Sequence, residues 1–170
     1  MLRLLVALLC CLWAAEGKAG EGRENGEWLV RLASFVQWPE AVRSGPVVVG
    51  LLGPDGGEMV APGLVAERGR PLLVKHVGTL EEARRCHIVL VGRSHAGRAR
   101  DVLRGLEGTP TLTVSVVVGF SQMGGMVELR EQQGTKMFLL NTDAARRANL
   151  AFHPGLLRVV RVARPDTLTE

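Results

Sequence analysis

Tyrosine is absent from this 170-residue chain, and the aromatic residues stop at three Trp and four Phe. Single-stranded nucleic acid is held by stacking bases on aromatic platforms, and so few rings do not supply them. Cysteine is scarce too, at three residues, which excludes a small scaffold stapled by disulfides. Neither charge dominates: 21 Lys and Arg against 17 Asp and Glu leave a formal +4. The arginines are spread along the chain, so net charge alone names no partner. The sequence contains no internal repeat and no low-complexity tract. What remains is an ordinary balance, 46% hydrophobic and 22% charged residues, in a length that suits one folded domain.

The first residues read as an address. One Arg precedes an unbroken apolar run from Leu4 to Ala15, and the small and charged residues Glu16 to Gly20 follow. This is the layout of a secretory signal, and the run is well short of the roughly 20 residues that span a bilayer as a helix. The expectation is a signal peptide over 1–19, cleaved between Ala15 and Gly20, and a mature domain over 20–170. Leu8 and Leu9 stand before Cys10 where a lipoprotein would carry small residues. Cleavage removes Cys10 and Cys11 and leaves Cys86, expected as a free thiol in a buried strand.

Strands and helices then alternate. Trp28, Leu29, Leu32, Phe35 and Val36 form one stripe of a helix over 25–38, with Asn25 at its start and Pro39 at its end. Val47–Leu52, Leu72–Val77, His87–Val91 and Thr111–Val118 read as strands. Gly53–Pro62 and Gly119–Gly125 read as loops. Thr79 and Ser94 are candidate caps for helices over 79–85 and from 94 onward, the second burying Ala99, Val102, Leu103 and Leu106. Met126–Glu131 and Lys136–Asn141 alternate around Gln132-Gln133-Gly134 as a β-hairpin. A helix from Thr142 to about Asn149 follows. Pro154 opens a last one, with Leu156, Leu157 and Val160 on one side and Arg158 and Arg161 opposite. Apolar strands alternating with helices argue for an α/β single domain. Its sheet is expected to be mostly parallel but mixed, with helices on both faces and a C-terminal β-hairpin followed by two helices.

Several patterns bear on chemistry. Gly92-Arg-Ser94-His-Ala96 lies between a strand and a helix, the setting of a nucleophile elbow. Ser94, Asp143 and His153 also follow the chain order of a hydrolase triad. Ala96 replaces the second glycine of the elbow, however, and the chain is short for that fold, so a capping Ser94 is the favoured reading. Gly50, Gly53, Gly56 and Gly57 follow a strand but fit no phosphate-binding spacing. His76, His87, His95 and His153 show no paired ligand spacing, and Cys86 and His87 point to opposite faces of a strand. No metal and no cofactor is expected. Arg146, Arg147, Arg158, Arg161 and Arg164 make the C-terminal third basic, either a solvated helix face or a patch for an acidic partner surface. Trp38 at a helix end and Phe120 in a glycine-rich loop are partner anchors if exposed and core residues otherwise.

The blocks Val30–Pro39, Cys86–Val91, Thr111–Ser115, Gly124–Leu129, Asn141–Arg146 and Pro154–Arg158 resemble, in order and spacing, the YfiR family of periplasmic proteins. The resemblance covers most of residues 28–160. It implies an exported, non-enzymatic α/β domain that tends to dimerise. It further implies repression of an inner-membrane diguanylate cyclase through that enzyme's periplasmic region. An outer-membrane lipoprotein would relieve the repression, so that cyclic di-GMP output and biofilm formation follow envelope stress. Nucleic acid is not an expected partner. Two departures limit the transfer. The mature chain keeps a single cysteine where relatives switch through paired ones, and Val116 stands where an acidic residue commonly follows the Thr-Val-Ser block.

The residues expected to meet a partner are Trp38, Phe120, Arg146, Leu156, Leu157, Arg158 and Arg161. Two other functions compete with this reading. One is a periplasmic small-ligand sensor using a pocket beside Gly119–Gly125. The other is a serine hydrolase built on Ser94.

Overall fold

The computed structural model describes residues 28–60, 70–132, 135–157 and 161–162. Helix α1 covers 28–34, and strand β1 is Val36–Gln37. Then come β2 (Val47–Leu52), β3 (Leu72–His76), α2 (Leu80–Arg84), β4 (Ile88–Val91), α3 (Ala99–Gly105) and β5 (Leu112–Ser115). The chain closes with β6 (Val127–Gln132), β7 (Thr135–Leu140), α4 (Thr142–Arg147), β8 (Ala151–Phe152), α5 (Pro154–Leu157) and β9 (Arg161–Val162).

Seven strands form one sheet in the order β3-β2-β4-β5-β6-β7-β9. The pairs from β3 through β6 are parallel, β6 and β7 form the antiparallel hairpin, and β9 lies parallel to β7. The sheet is therefore mixed and mostly parallel, as the alternation of elements predicts. Its central strands are apolar on both faces because successive side chains point opposite ways and both faces are covered. Val49, Leu51, Ile88, Leu90, Leu112 and Val114 meet Leu29 and Leu32 of α1 and Ala144 and Ala145 of α4. Val89, Val91, Cys86 and Phe120 meet Ala83 of α2 and Ala99 of α3 on the other side.

Local chemistry explains most of the element ends. Thr79 opens α2 with a reciprocal cap: its hydroxyl accepts from the Glu82 N–H at 3.2 Å, and the Glu82 carboxylate accepts from the Thr79 N–H at 3.2 Å. Asn141 caps α4 by accepting from the Ala144 N–H at 2.9 Å.

Three expectations need correction. The first helix does not run to 38, because Val36 and Gln37 are extended and pair antiparallel with Phe152 and Ala151. The His153 N–H also donates to the Phe35 carbonyl at 2.8 Å, so tertiary pairing overrides the helical spacing; the start near Asn25 lies outside the described residues. Ser94 does not cap α3. A 3-10 turn over Arg93–Arg98 precedes that helix, and the Ser94 hydroxyl is engaged elsewhere. The last helix is one turn, Pro154–Leu157. Arg161 lies in β9 instead of on a helix, while Arg158 and Val160 lie outside the described residues.

Candidate functional site

Two carboxylates organise the loops that leave the parallel strands. Glu128, the second residue of β6, is fully buried, at 0% exposure. It faces the segment that carries the chain from β5 to β6. Its carboxylate accepts from the Gly119 N–H at 3.0 Å, the Ser121 N–H at 2.9 Å and the Ser121 hydroxyl at 2.8 Å, and it pairs with the Arg130 guanidinium. Burial alone pushes the Glu128 carboxyl up, but the Ser121 N–H, Arg130, the Ser121 hydroxyl and the Gly119 N–H together outweigh it and hold it below the ordinary value. Asn141 adds a tether by donating to the Ser121 carbonyl at 2.9 Å. Gly119 and Gly124 in this segment take left-handed backbone, at φ 83° and 103°. Gly125 lies against Phe120 so closely that a Cβ there would stand 2.2 Å from the ring.

Asp55 lies in the 3-10 turn Pro54–Met59 that follows β2. The β3-β2-β4-β5 order reverses direction between β2 and β4, the position where open α/β sheets leave a crevice for ligands. Here the chain bridges that crevice itself. The Ser94 hydroxyl donates to Asp55 Oδ1 and the Ser94 N–H to Oδ2 at 3.3 Å. The Ser94 hydroxyl bond is the leading cause that draws the Asp55 pKa below its ordinary value. The glycines beside it make room for this contact. A Cβ at Gly92 would come within 2.3 Å of Asp55 Oδ1, and one at Gly53 within 2.4 Å of Ser94 Oγ.

The triad order Ser94, Asp143, His153 is not assembled in space. Ser94 is held by Asp55 and stands 3.3 Å from Nδ1 of its neighbour His95. Asp143 pairs with Arg146 at 3.1 Å, and His153 Nδ1 accepts from the Gly155 N–H at 3.1 Å. In this arrangement Asp55 holds the serine directly, whereas a triad needs its carboxylate behind a histidine base.

His87 is a structural histidine. Its Nδ1 accepts from the Val48 N–H at 3.1 Å, so Nε2 carries the proton and donates to the Val42 carbonyl at 2.8 Å. Trp38 stands edge-on to this imidazole, with ring centroids 5.6 Å apart. Burial is the main cause that pushes the His87 pKa down. Cys86 points the other way, is a free buried thiol and donates to the Glu82 carbonyl at 3.3 Å. Burial pushes this thiol up, away from the reactive thiolate. Among the described residues, no three His, Cys, Asp or Glu side chains gather as a metal site would require.

The residues expected to meet a partner divide. Trp38, Phe120 and Leu156 are buried, at 6%, 0% and 3% exposure. They belong to the core, which corrects their reading as exposed anchors. Trp38 is needed against His87, Phe120 under Gly125, and Leu156 against the α1 face of the sheet. Arg146 is exposed beside Asp143. Leu157 ends α5 and Arg161 begins β9, and Arg158 lies outside the described residues. Sequence reasoning missed Val118, a 76% exposed apolar side chain on the segment that Glu128 holds. It also missed Glu128 itself, since a Glu in an alternating hairpin is ordinarily a solvent-facing residue.

The buried core, the carboxylate-held segments and the order of elements frame one continuous domain. A family model described as YfiR/HmsC-like matches residues 25–161, and the chain belongs to that family.

Proposed function

We propose that this protein is an exported, periplasmic regulator that works by protein contact and carries no catalytic step of its own. On this reading it represses a membrane diguanylate cyclase by binding that enzyme's periplasmic region, and an outer-membrane lipoprotein draws it away. The observation that carries the proposal is the family match across residues 25–161. The geometry is in keeping with it. Ser94 is held by Asp55, and the buried Cys86 thiol is disfavoured as a thiolate.

A contact-based repressor needs a rigid frame and an exposed patch. Glu128 supplies rigidity to the segment bearing Val118. Arg146, Leu157, Arg158 and Arg161 are the residues proposed to meet an acidic partner surface. Repression also demands that the inactive cyclase is bound more tightly than the active one. A pull-down from the periplasm and membranes of the native host, read by mass spectrometry, tests the proposal. Recovery of an inner-membrane cyclase is expected, and Leu157→Asp is expected to reduce its capture. A folded protein that retains no cyclase and leaves cyclic di-GMP unchanged on deletion overturns it.

A further inference from the structure

At the end of the sheet where β5 and β6 begin and β7 ends lies a cleft of about 240 Å³ between α3, the 123–126 segment and α4. Leu103, Met123, Met126 and Ala148 supply apolar lining, and Thr113 lines it as well. Three arginines stand around it, Arg100 and Arg104 one turn apart on α3 and Arg147 across on α4. Glu107 is the carboxylate in the lining. Arg104 also pairs with Asp101 at 2.9 Å. Arg100 and Arg147 make no ion pair among the described residues and are exposed, so their charge is free to meet a ligand.

From this juxtaposition we infer that the cleft binds a small free anion with a compact apolar body, a carboxylate or a phosphate monoester of about one or two rings. The size follows from the volume, since pockets for drug-sized ligands measure roughly 300–1,000 Å³. The sign follows from the arginines, whose planar forks match carboxylate and phosphate oxygens. The apolar body follows from the apolar part of the lining, and its two methionines can adapt to the ligand's shape. The arginines come from two helices, so a ligand head bridging Arg100 and Arg147 would couple α3 to α4. Met123 belongs to the same segment as Val118, so binding would also stiffen the loop that displays that side chain. This inference stands on the cleft alone and does not depend on the cyclase reading.

The test is a titration of the ¹⁵N-labelled full protein, purified from the periplasm, with 1-naphthoate and phenyl phosphate. Neutral 1-naphthalenemethanol and inorganic phosphate serve as controls. Saturable shifts confined to residues 100–108, 113, 123–126 and 144–148 are expected with the two amphipathic anions. Both controls should bind more weakly. The Arg100→Ala/Arg147→Ala double variant should lose about tenfold or more in affinity, because each guanidinium removed is a charge-assisted contact. Affinity for the anions should also fall as salt is raised. Both substituted residues are exposed, so the fold is expected to survive, and the variant's own amide spectrum checks that. Three outcomes each overturn the inference: no saturation by about 10 mM, beyond the range of specific small-ligand sites; equal binding of the neutral analogue; or unchanged affinity in the folded double variant.

Discussion

Asp55 and Glu128 do the same chemical task in two places and meet very different surroundings. Each carboxylate accepts from a serine hydroxyl and from backbone N–H groups in a segment that follows a parallel strand. Asp55 does so at the surface, beside an exposed Ser94. Glu128 does so at 0% exposure, with an arginine added. Each is also approached by a glycine-dependent contact, and again the surroundings differ. Gly92 lies against the flexible end of Asp55, whereas Gly125 lies against the fully buried Phe120 ring. The contrast shows why contact counting misleads. Near water a lost hydrogen bond is replaced, while inside the fold the orphaned donors keep their desolvation cost.

Breaking the buried member of the pair should have the largest effect. Glu128→Ala strands the Gly119 and Ser121 N–H groups, the Ser121 hydroxyl and the Arg130 guanidinium together. Loss of one partner of a buried, hydrogen-bonded charge costs about 3–5 kcal/mol, and chemical denaturation should show a loss in that range. Hydrogen exchange should quicken first over 117–125, the segment this carboxylate holds. Unchanged exchange there would mean that Phe120 and Asn141 hold the segment without it.

Acid reaches the buried member of the pair only after it has reached a buried histidine. The His87 pKa lies below its ordinary 6.5 in the folded chain. The unfolded chain therefore takes up that proton first, and stability declines as pH falls below about 6.5. The Glu128 pKa lies below its ordinary 4.5. Its contribution is fully present above about 4.5 and declines as pH falls through that value toward the folded pKa. Denaturant titrations at stepped pH should thus show two declines. His87→Gln should flatten the first and Glu128→Gln the second. A single decline that neither variant alters would place the acid sensitivity elsewhere.

How much of this was legible in the sequence depends on who decides each residue's conformation. Val47–Leu52 and Ile88–Val91 were readable because an apolar run between turn residues has one economical fate, a strand covered on both faces. Thr79 was readable because its cap is local, closed within four residues. The end of α1 was not, because Phe35 and Val36 keep helical spacing while distant residues 151–153 claim their backbone. Glu128 was not, because its burial is produced by the 117–125 segment folding over it, and nothing within β6 announces that cover. Trp38, Phe120 and Leu156 failed as surface residues for the converse reason. Each sits beside a proline or glycine, which marks a turn, yet a turn in the chain does not expose the large side chain next to it. The family blocks carried the order of elements.

The surface member of the pair should yield the smallest effect and the most informative one. Asp55→Ala and Ser94→Ala each remove one side of the same contact, with Ser94 exposed. Water can serve the freed groups, so each loss should be about 0.5 kcal/mol and the double variant should cost little more than either single one. Gly92→Ala would place a Cβ 2.3 Å from Asp55 Oδ1, and the flexible carboxylate can swing away at the cost of that same contact. Gly92→Ala should therefore be mildly destabilising in the native background and close to neutral when combined with Asp55→Ala. Additive losses in that cycle would show that Gly92 is required by backbone geometry instead. The bridge across the β2–β4 crevice would then be a consequence of the turn and not the reason for it.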